Sequence, residues 1–420
     1  MIQAHKIEEQ VCSLTLPGLP PGKAVIPNYD GYSICAVPGL IRSFLGERVE
    51  GSAELIDAVH SIFPSTAKKV VLLILDGLGF YHLLDLLERF PKLYLHRLIE
   101  RGVFIPITSV FPATTATALT TYSTGLTPQE HGMVGYRLYL KETSAITNML
   151  RLSLLGNSKA NSAVEAGIDL ASFIPGPTLY ERLKRLGVES HVMLSRHIAS
   201  SGLSSLLYDG SARLHPTVSF SDMLVVTRSV LKQAQGKVFL SLYWSGTDAI
   251  AHTYGPWTQE FTAELRAIDS AIKRELKGQV KETLLVISAD HGFVPMRESN
   301  YKVIAKDSDL MRDLLLLPVG EPRASYLFVR RGRKQAVAEL IAEHFGEDLV
   351  CLDARVALQA GLFGRGKVKP EVYDRIGDLI VVSTGETALH HPYKDAVKLK
   401  GMHGGLTPQE MLVPLLISPL

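Results

Sequence analysis

A chain of 420 residues, 46% hydrophobic and 20% charged, can bury a large core and has the profile of an enzyme-sized globular protein. Its formal charge of +2 excludes wrapping of nucleic acid, which needs a clear basic excess or stripe. The three cysteines (Cys12, Cys35 and Cys351) are isolated and lack CxxC spacing, so they fit thiols in a reducing compartment rather than a disulfide frame.

The opening "MIQAHKIEEQVCSLTLPG" lacks the basic-then-apolar pattern of a secretion signal. Apolar runs such as "VVLLIL" stop well short of the ~20 residues that a membrane span needs. The expectation is a soluble, cytoplasmic protein of unspecified oligomeric state.

In chain order, "KKVVLLILDGLG" near 70–79 predicts a strand buried on both faces, as in a parallel sheet, ending at Asp76. "FYHLLDLLERF" has the helical period and follows it. The strand "VFIPITSV" then leads into "FPATTATALTTYSTG" at 111–125, with six threonines and a serine in fifteen residues. Threonine is a mediocre helix former, yet Gly125 is a good C-terminal stop, so a helix is expected here. A hydroxyl at its start would lie beside unpaired N–H groups and the positive end of the dipole, which favour a phosphate or an alkoxide. Thr114 and Thr115 are the candidates. A threonine there is also the ordinary N-cap, so one of them has a plain structural explanation.

The hexapeptide "GLTPQE" occurs at 125–130 and again at 405–410. It reads as a helix start, with Thr as N-cap, Pro at the first helical position and Glu closing a capping box. The copies stand beside His131 and His403.

"TLYERLKRLG" predicts a further helix. The strands "GKVFLSLYWSGTD" near 236–248 and "ETLLVISADHG" near 282–292 end in Asp248 and Asp290. Strand–helix alternation argues for an open α/β sheet, whose ligands gather outside the carboxyl ends of its strands. One terminal aspartate is an ordinary turn former; three suggest a site. "TDAIAHTYG" sets Asp248 and His252 four apart, so one turn aims both at the same ion. A strand would point Asp290 and His291 oppositely, so they converge only in a turn, which Gly292 permits.

The stretch 296–375 contains "RASYLFVRRGRKQAVAELIAEHFGEDLVCLDA", a strand–helix–strand unit read as an inserted cap on a core of 1–295 and 376–420. The cluster Arg330, Arg331, Arg333 and Lys334 reads as a solvated turn. "DRIGDLIVVST" and "EMLVPLLISPL" are expected to return to the main sheet. "GMHGGL" places His403 in a glycine-flanked loop.

Mixed oxygen and nitrogen donors suit Zn²⁺, with Mn²⁺ also accommodated, and no cysteine marks a closed structural zinc site. Singly, each residue has a plain alternative: Asp/His pairs hydrogen-bond, and histidines between glycines sit on surfaces. His131, His390 and His391 read as structural or supporting.

"LDGLG", "FPATTATALTTYSTGLTPQEHGMVGY", "TDAIAHTYGP", "SADHG" and "MHGG", in this order, resemble the alkaline phosphatase superfamily, and within it the type I phosphodiesterase/nucleotide pyrophosphatase family. The resemblance implies a three-layer α/β/α sandwich around a mostly parallel sheet, with a smaller inserted α+β cap. It also implies two divalent ions, Zn²⁺ first: Asp248, His252 and His403 would hold one, and Asp76, Thr115, Asp290 and His291 the other. Thr115 would be the nucleophile of a phosphoester hydrolase that passes through a phosphothreonyl intermediate on a small phosphoester or nucleotide-type substrate. In the family's nucleotide pyrophosphatases Phe-Pro-Asn follows the nucleophile and the Asn helps hold a phosphoryl oxygen; here Ala118 occupies that place. A diesterase needs room for a second ester group, for which Tyr136 and Tyr139 are candidates, with core packing as the plainer role. A phosphomonoesterase, a phosphomutase and a non-catalytic metal-binding relative are the rival readings. No Cys or Ser stands in a sulfatase-type context.

Overall fold

Continuous Val/Ile/Leu runs cannot alternate polar and apolar faces, so they belong where both faces of a sheet are covered. The computed structural model, which describes residues 2–49, 54–63, 66–157, 159–391, 393 and 397–420, puts them there. The main sheet has seven strands in the order β2-β18-β9-β1-β8-β6-β7. These are β1 (Lys69–Leu75), β2 (Val103–Thr108), β6 (Glu189–Ser195), β7 (Arg213–Thr217), β8 (Val238–Trp244), β9 (Thr283–Ser288) and β18 (Leu412–Pro419). Only β18 runs against its neighbours, and the other pairings are parallel. Two groups of helices, each packed within itself, flank the sheet. One includes Phe220–Gln233, Gly246–Tyr254 and Gln259–Leu276; the other includes Val37–Phe44, Thr115–Thr124 and Leu179–Arg185.

Register fixes where the chemistry collects. Ile74 lies opposite Ser288, and Leu75 opposite Trp244. The central strands therefore end level, and the segments carrying Asp76, Asp248 and Asp290 leave from one edge.

A second sheet, antiparallel throughout, has the order β14-β15-β13-β12-β3-β4-β5. It is built from β3 (Arg137–Leu140), β4 (Ala145–Asn148), β5 (Ser153–Leu154), β12 (Val319–Glu321), β13 (Ala324–Leu327), β14 (Leu349–Asp353) and β15 (Leu379–Ser383). Two short ribbons pair β10 (Val294–Pro295) with β17 (Gly401–Met402) and β11 (Tyr301–Val303) with β16 (Ala388–His390).

This corrects one expectation. "EMLVPLLISPL" does form β18 in the main sheet, but the strand within "DRIGDLIVVST" is β15, paired with β13 and β14. Its five residues are all buried: Ile380 and Val382 face the principal core, Leu379 and Val381 a smaller core under the helix Lys334–His344. An all-apolar run is what either sheet would accept. The strands of 137–154 also join this second sheet, ahead of the 296–375 stretch in the chain.

Both "GLTPQE" copies form the expected capping boxes, Thr127 with Glu130 and Thr407 with Glu410. Each is also a joint to the second sheet's polypeptide. Gln129 exchanges backbone hydrogen bonds with Phe363 and Lys369 at 2.9 and 2.8 Å. Glu410 receives the Arg323 guanidinium at 2.6 and 2.7 Å, both side chains fully buried.

The basic turn is paired outward, Arg333 with Asp313 and Lys334 with Asp353. The three cysteines are free thiols. Burial pushes Cys12 and Cys351 up to about 11 and Cys35 to about 12, so none is a ready thiolate. Among the described residues no helix is long and apolar enough to cross a membrane.

Candidate active site

The seven residues singled out at Asp76, Thr115, Asp248, His252, Asp290, His291 and His403 converge at the carboxyl edge of the main sheet. Asp76 follows β1, Asp290 follows β9, and Asp248 and His252 share the helix Gly246–Tyr254 that follows β8. One ligand atom each from Asp248, His252 and His403 lies within 4.8 Å of the others, and the same holds for Asp76, Asp248 and His291. Asp290 joins them through Oδ2, 3.5 Å from His291 Nε2. Thr115 Oγ1 is 3.3 Å from that same nitrogen.

Local sequence explains the convergence. Gly77 has φ +75°, and a Cβ there would meet the Phe293 ring at 2.3 Å. That conformation, open to glycine, lets the Gly77 N–H donate to Asp290 Oδ1 at 3.0 Å. At Gly292 a Cβ would stand 2.0 Å from the Gln409 carbonyl oxygen, so the turn after His291 admits no side chain.

The three histidines share one arrangement. Nδ1 of His252 faces the Gly401 carbonyl at 2.8 Å, that of His403 the Ala113 carbonyl at 2.9 Å, and that of His291 the Gly292 carbonyl at 3.2 Å. A carbonyl only accepts, so each Nδ1 carries the proton and each Nε2 presents its lone pair to the centre. This is how ligating imidazoles are oriented by their surroundings.

The carboxylates tell the same story. Asp76 Oδ1, Asp248 Oδ1 and Asp290 Oδ2 are buried with no hydrogen-bond partner. Burial, then repulsion from Asp290 and Asp248, holds Asp76 well above the ordinary carboxylate range. Burial pushes Asp248 up to about 6 against the pull of His252, and burial also raises Asp290. Burial drives His291 down to about 3 and His403 well below its usual value. Three crowded carboxyl groups with orphaned oxygens, facing three imidazole lone pairs, lack a positive charge between them. The donor set fits divalent cations of the zinc or manganese type.

The helix Thr115–Thr124 starts at this centre and ends at Gly125 with φ +74°. Thr115 is its first residue and Thr114 its N-cap. Of the remaining threonines, Thr120 and Thr124 donate to carbonyls four residues back and Thr121 meets His131, while the Thr117 hydroxyl is buried without a hydrogen-bond partner. His131 is fully buried and also accepts the Met133 N–H, a structural role away from the ligand cluster.

The centre opens into a cavity of about 350 Å³ lined on its far side by Arg137 and Glu321 of the second sheet, by Tyr136 just before β3, and by His390 and His391 at the end of β16. His391 pairs with Ser325 at 2.6 Å, a supporting contact. Tyr139 is not in this wall; it packs edge-on against Phe328.

Two contributors were not foreseen. Tyr243, on β8, donates its hydroxyl to Asp76 Oδ2, leaving Oδ1 toward the centre. Glu321 is buried beside Thr114, and burial pushes it up to about 7 against the Thr114 hydroxyl, the Tyr136 N–H and Arg137. Neither belongs to a local motif. Each reaches the site only through strand register.

Comparison with known proteins gives three findings. The family model described as "Type I phosphodiesterase / nucleotide pyrophosphatase" matches residues 70–406. A search of the curated proteins finds no match. Among solved structures, human ectonucleotide pyrophosphatase / phosphodiesterase 5 is similar at 18% identity and a TM-score of 0.64, over 83% of this chain and 87% of that one. The murine counterpart, an inactive threonine-to-alanine variant in complex with AMP, gives 17% identity and a TM-score of 0.63 over the same shares. Phosphonoacetate hydrolase from Sinorhizobium meliloti 1021, in complex with phosphonoformate, gives 21% and 0.62, over 84% of this chain and 90% of that one. At these identities the structural likeness is one of fold.

Proposed function

The chain belongs to the type I phosphodiesterase / nucleotide pyrophosphatase family, and from that premise we propose that it is a two-metal phosphoester hydrolase, acting on small diesters through a phosphothreonyl intermediate. The observation that carries this is the hydroxyl of Thr115, set against a ring of orphaned carboxylate oxygens and imidazole lone pairs.

Asp248, His252 and His403 would hold one ion, and Asp76, Thr115, Asp290 and His291 the other. When bound, such ions lower the pKa of a coordinated hydroxyl and neutralise charge on the transferring group. The chain supplies the rest. Thr115 Oγ attacks phosphorus in line; the P–Oγ bond forms, the bond to the leaving alcohol's oxygen breaks, and that oxygen takes up a proton. Amides of the first helical turn face the equatorial oxygens. Water then attacks the phosphothreonine from the opposite side, the P–Oγ bond breaks, and Thr115 recovers its proton. The cavity beyond the centre leaves room for a substituent past the phosphoryl group, which supports a diester over a simple monoester.

The test is a hydrolysis screen with zinc- and manganese-loaded protein over bis-p-nitrophenyl phosphate, p-nitrophenyl phosphate, dinucleotides, nucleotide sugars and carboxylated phosphonates, each with an EDTA control. The neighbours in complex with AMP and phosphonoformate justify the last three arms. Turnover of a diester above the matching monoester, abolished by chelation, is expected. Monoester preference would overturn the diester assignment, and absence of bound metal with no turnover would favour a scaffold.

A further inference from the structure

An N-cap threonine normally turns its hydroxyl back onto the amides of its own helix. Thr114 does not. It holds the extended conformation of a cap, φ −140° and ψ 146°, yet its side chain makes no capping hydrogen bond. It is only 3% exposed. Its hydroxyl instead lies in the cavity wall between Thr115 and the second sheet, against the Glu321 carboxyl. The amides of the first turn, which a capping oxygen would have occupied, are thereby left for a ligand.

The neighbouring position deepens the point. The third residue after Thr115 is Ala118, fully buried and with nothing to donate. A phosphoryl group at Thr115 would meet the helix amides but no side-chain donor from that position. The orphaned oxygens of Asp76, Asp248 and Asp290 mark independently where the charged ligand assembly sits.

We propose that Thr114 is a further catalytic residue, its hydroxyl donating a hydrogen bond to an equatorial oxygen of the transferring phosphoryl group, with Glu321 as the positioning residue that keeps the hydroxyl off the helix and in the cavity. This rests on the reading of Thr115 as nucleophile. Glu321 suits its task because its own anchor is separate: Oε1 accepts the Tyr136 N–H at 2.9 Å, so the carboxyl stays in place when the hydroxyl turns to the phosphoryl oxygen. The donation is worth most in the transition state, where charge accumulates on those oxygens.

The test compares Thr114→Val, Thr114→Ala and Thr114→Ser in metal-loaded protein, by kcat on the best diester and by calorimetric binding of orthovanadate. Thr114→Val and Thr114→Ala should lose about 10²-fold in kcat and weaken orthovanadate, while Thr114→Ser stays within a few-fold. Metal content and melting temperature should match the parent in all three. Turnover and orthovanadate affinity within threefold of the parent in Thr114→Ala would overturn the proposal, as would a lowered melting temperature with unchanged affinity, which marks an ordinary cap. If Thr114→Val does not fold, Thr114→Ala decides alone. If the parent protein turns over nothing, the nucleophile reading fails, and the orthovanadate arm still reports on Thr114.

Discussion

Thr115 Oγ1 and His291 Nε2 stand 3.3 Å apart, on residues separated by 176 positions in the chain. The hydroxyl begins the helix after β2 and the imidazole sits in the turn after β9, so the pair exists because β2 and β9 belong to the same sheet. If this hydroxyl is the nucleophile, Thr115→Ala should lower turnover by on the order of 10⁴-fold or more. Metal content should fall little, since the carboxylates and imidazoles remain. Thr115→Ser should keep part of the activity. Acid-quenched digestion of the working enzyme should place phosphate on the peptide containing Thr115. Label on another peptide would refute the assignment.

Asp248 is the only residue common to both ligand groups. It lies 3.3 Å from His252 Nε2 and 3.9 Å from His403 Nε2, and its Oδ1 has no hydrogen-bond partner. The family resemblance assigns it to one ion, whereas the geometry puts it within reach of both. Asp248→Asn should therefore depress binding of both ions, and His252→Ala chiefly of one. Plasma emission spectrometry of the purified variants distinguishes these outcomes; equal loss in the two variants would argue against sharing.

Much of this arrangement is legible in the amino-acid sequence alone. Val70 to Leu75 announce a strand covered on both faces, and the residues after such strands face ligands for topological reasons. The capping boxes at Thr127 and Thr407 are local patterns, hence legible. Contacts set by register were not. Tyr243 on Asp76, Glu321 beside Thr114 and Arg323 on Glu410 join residues with no fixed spacing, so periodicity carries no trace of them. The sheet chosen by β15 was equally hidden, because Leu379 to Ser383 are buried to a residue and no polar face betrays which core they meet.

The Arg323–Glu410 pair tests the joint between the two sheets. Arg323 also donates to the carbonyls of Thr387 and Gly385, at 3.0 and 2.5 Å. Removing one member of a buried pair strands the other charge, at a cost of about 3–5 kcal/mol. Arg323→Met and Glu410→Gln should each lower stability on that scale in urea or thermal unfolding. Gln can still serve a capping box, so the loss in Glu410→Gln reports the ion pair rather than the helix start. Unchanged unfolding midpoints would show that the pair contributes nothing net.

The crowded carboxyl groups also predict how metal and pH act together. Asp248 is raised from 3.8 to about 6 in the folded chain, and Asp76 and Asp290 shift the same way. A carboxyl whose folded pKa is raised contributes stability that is whole below its unfolded value and lost as pH climbs through the folded one. Without metal, these aspartates therefore weaken the fold as they ionise between about pH 4 and pH 6 and beyond. Bound cations require that same ionised form, and His291, held down to about 3, is already neutral across the range. Protons thus compete with metal at the acid end and cease to compete as pH rises. The gain in melting temperature on adding zinc to EDTA-treated protein should be small near about pH 5 and clearly larger near about pH 7.5. Calorimetric scans at both values measure it directly. A gain that stays constant, or shrinks toward neutrality, would mean that these aspartates do not hold the ions.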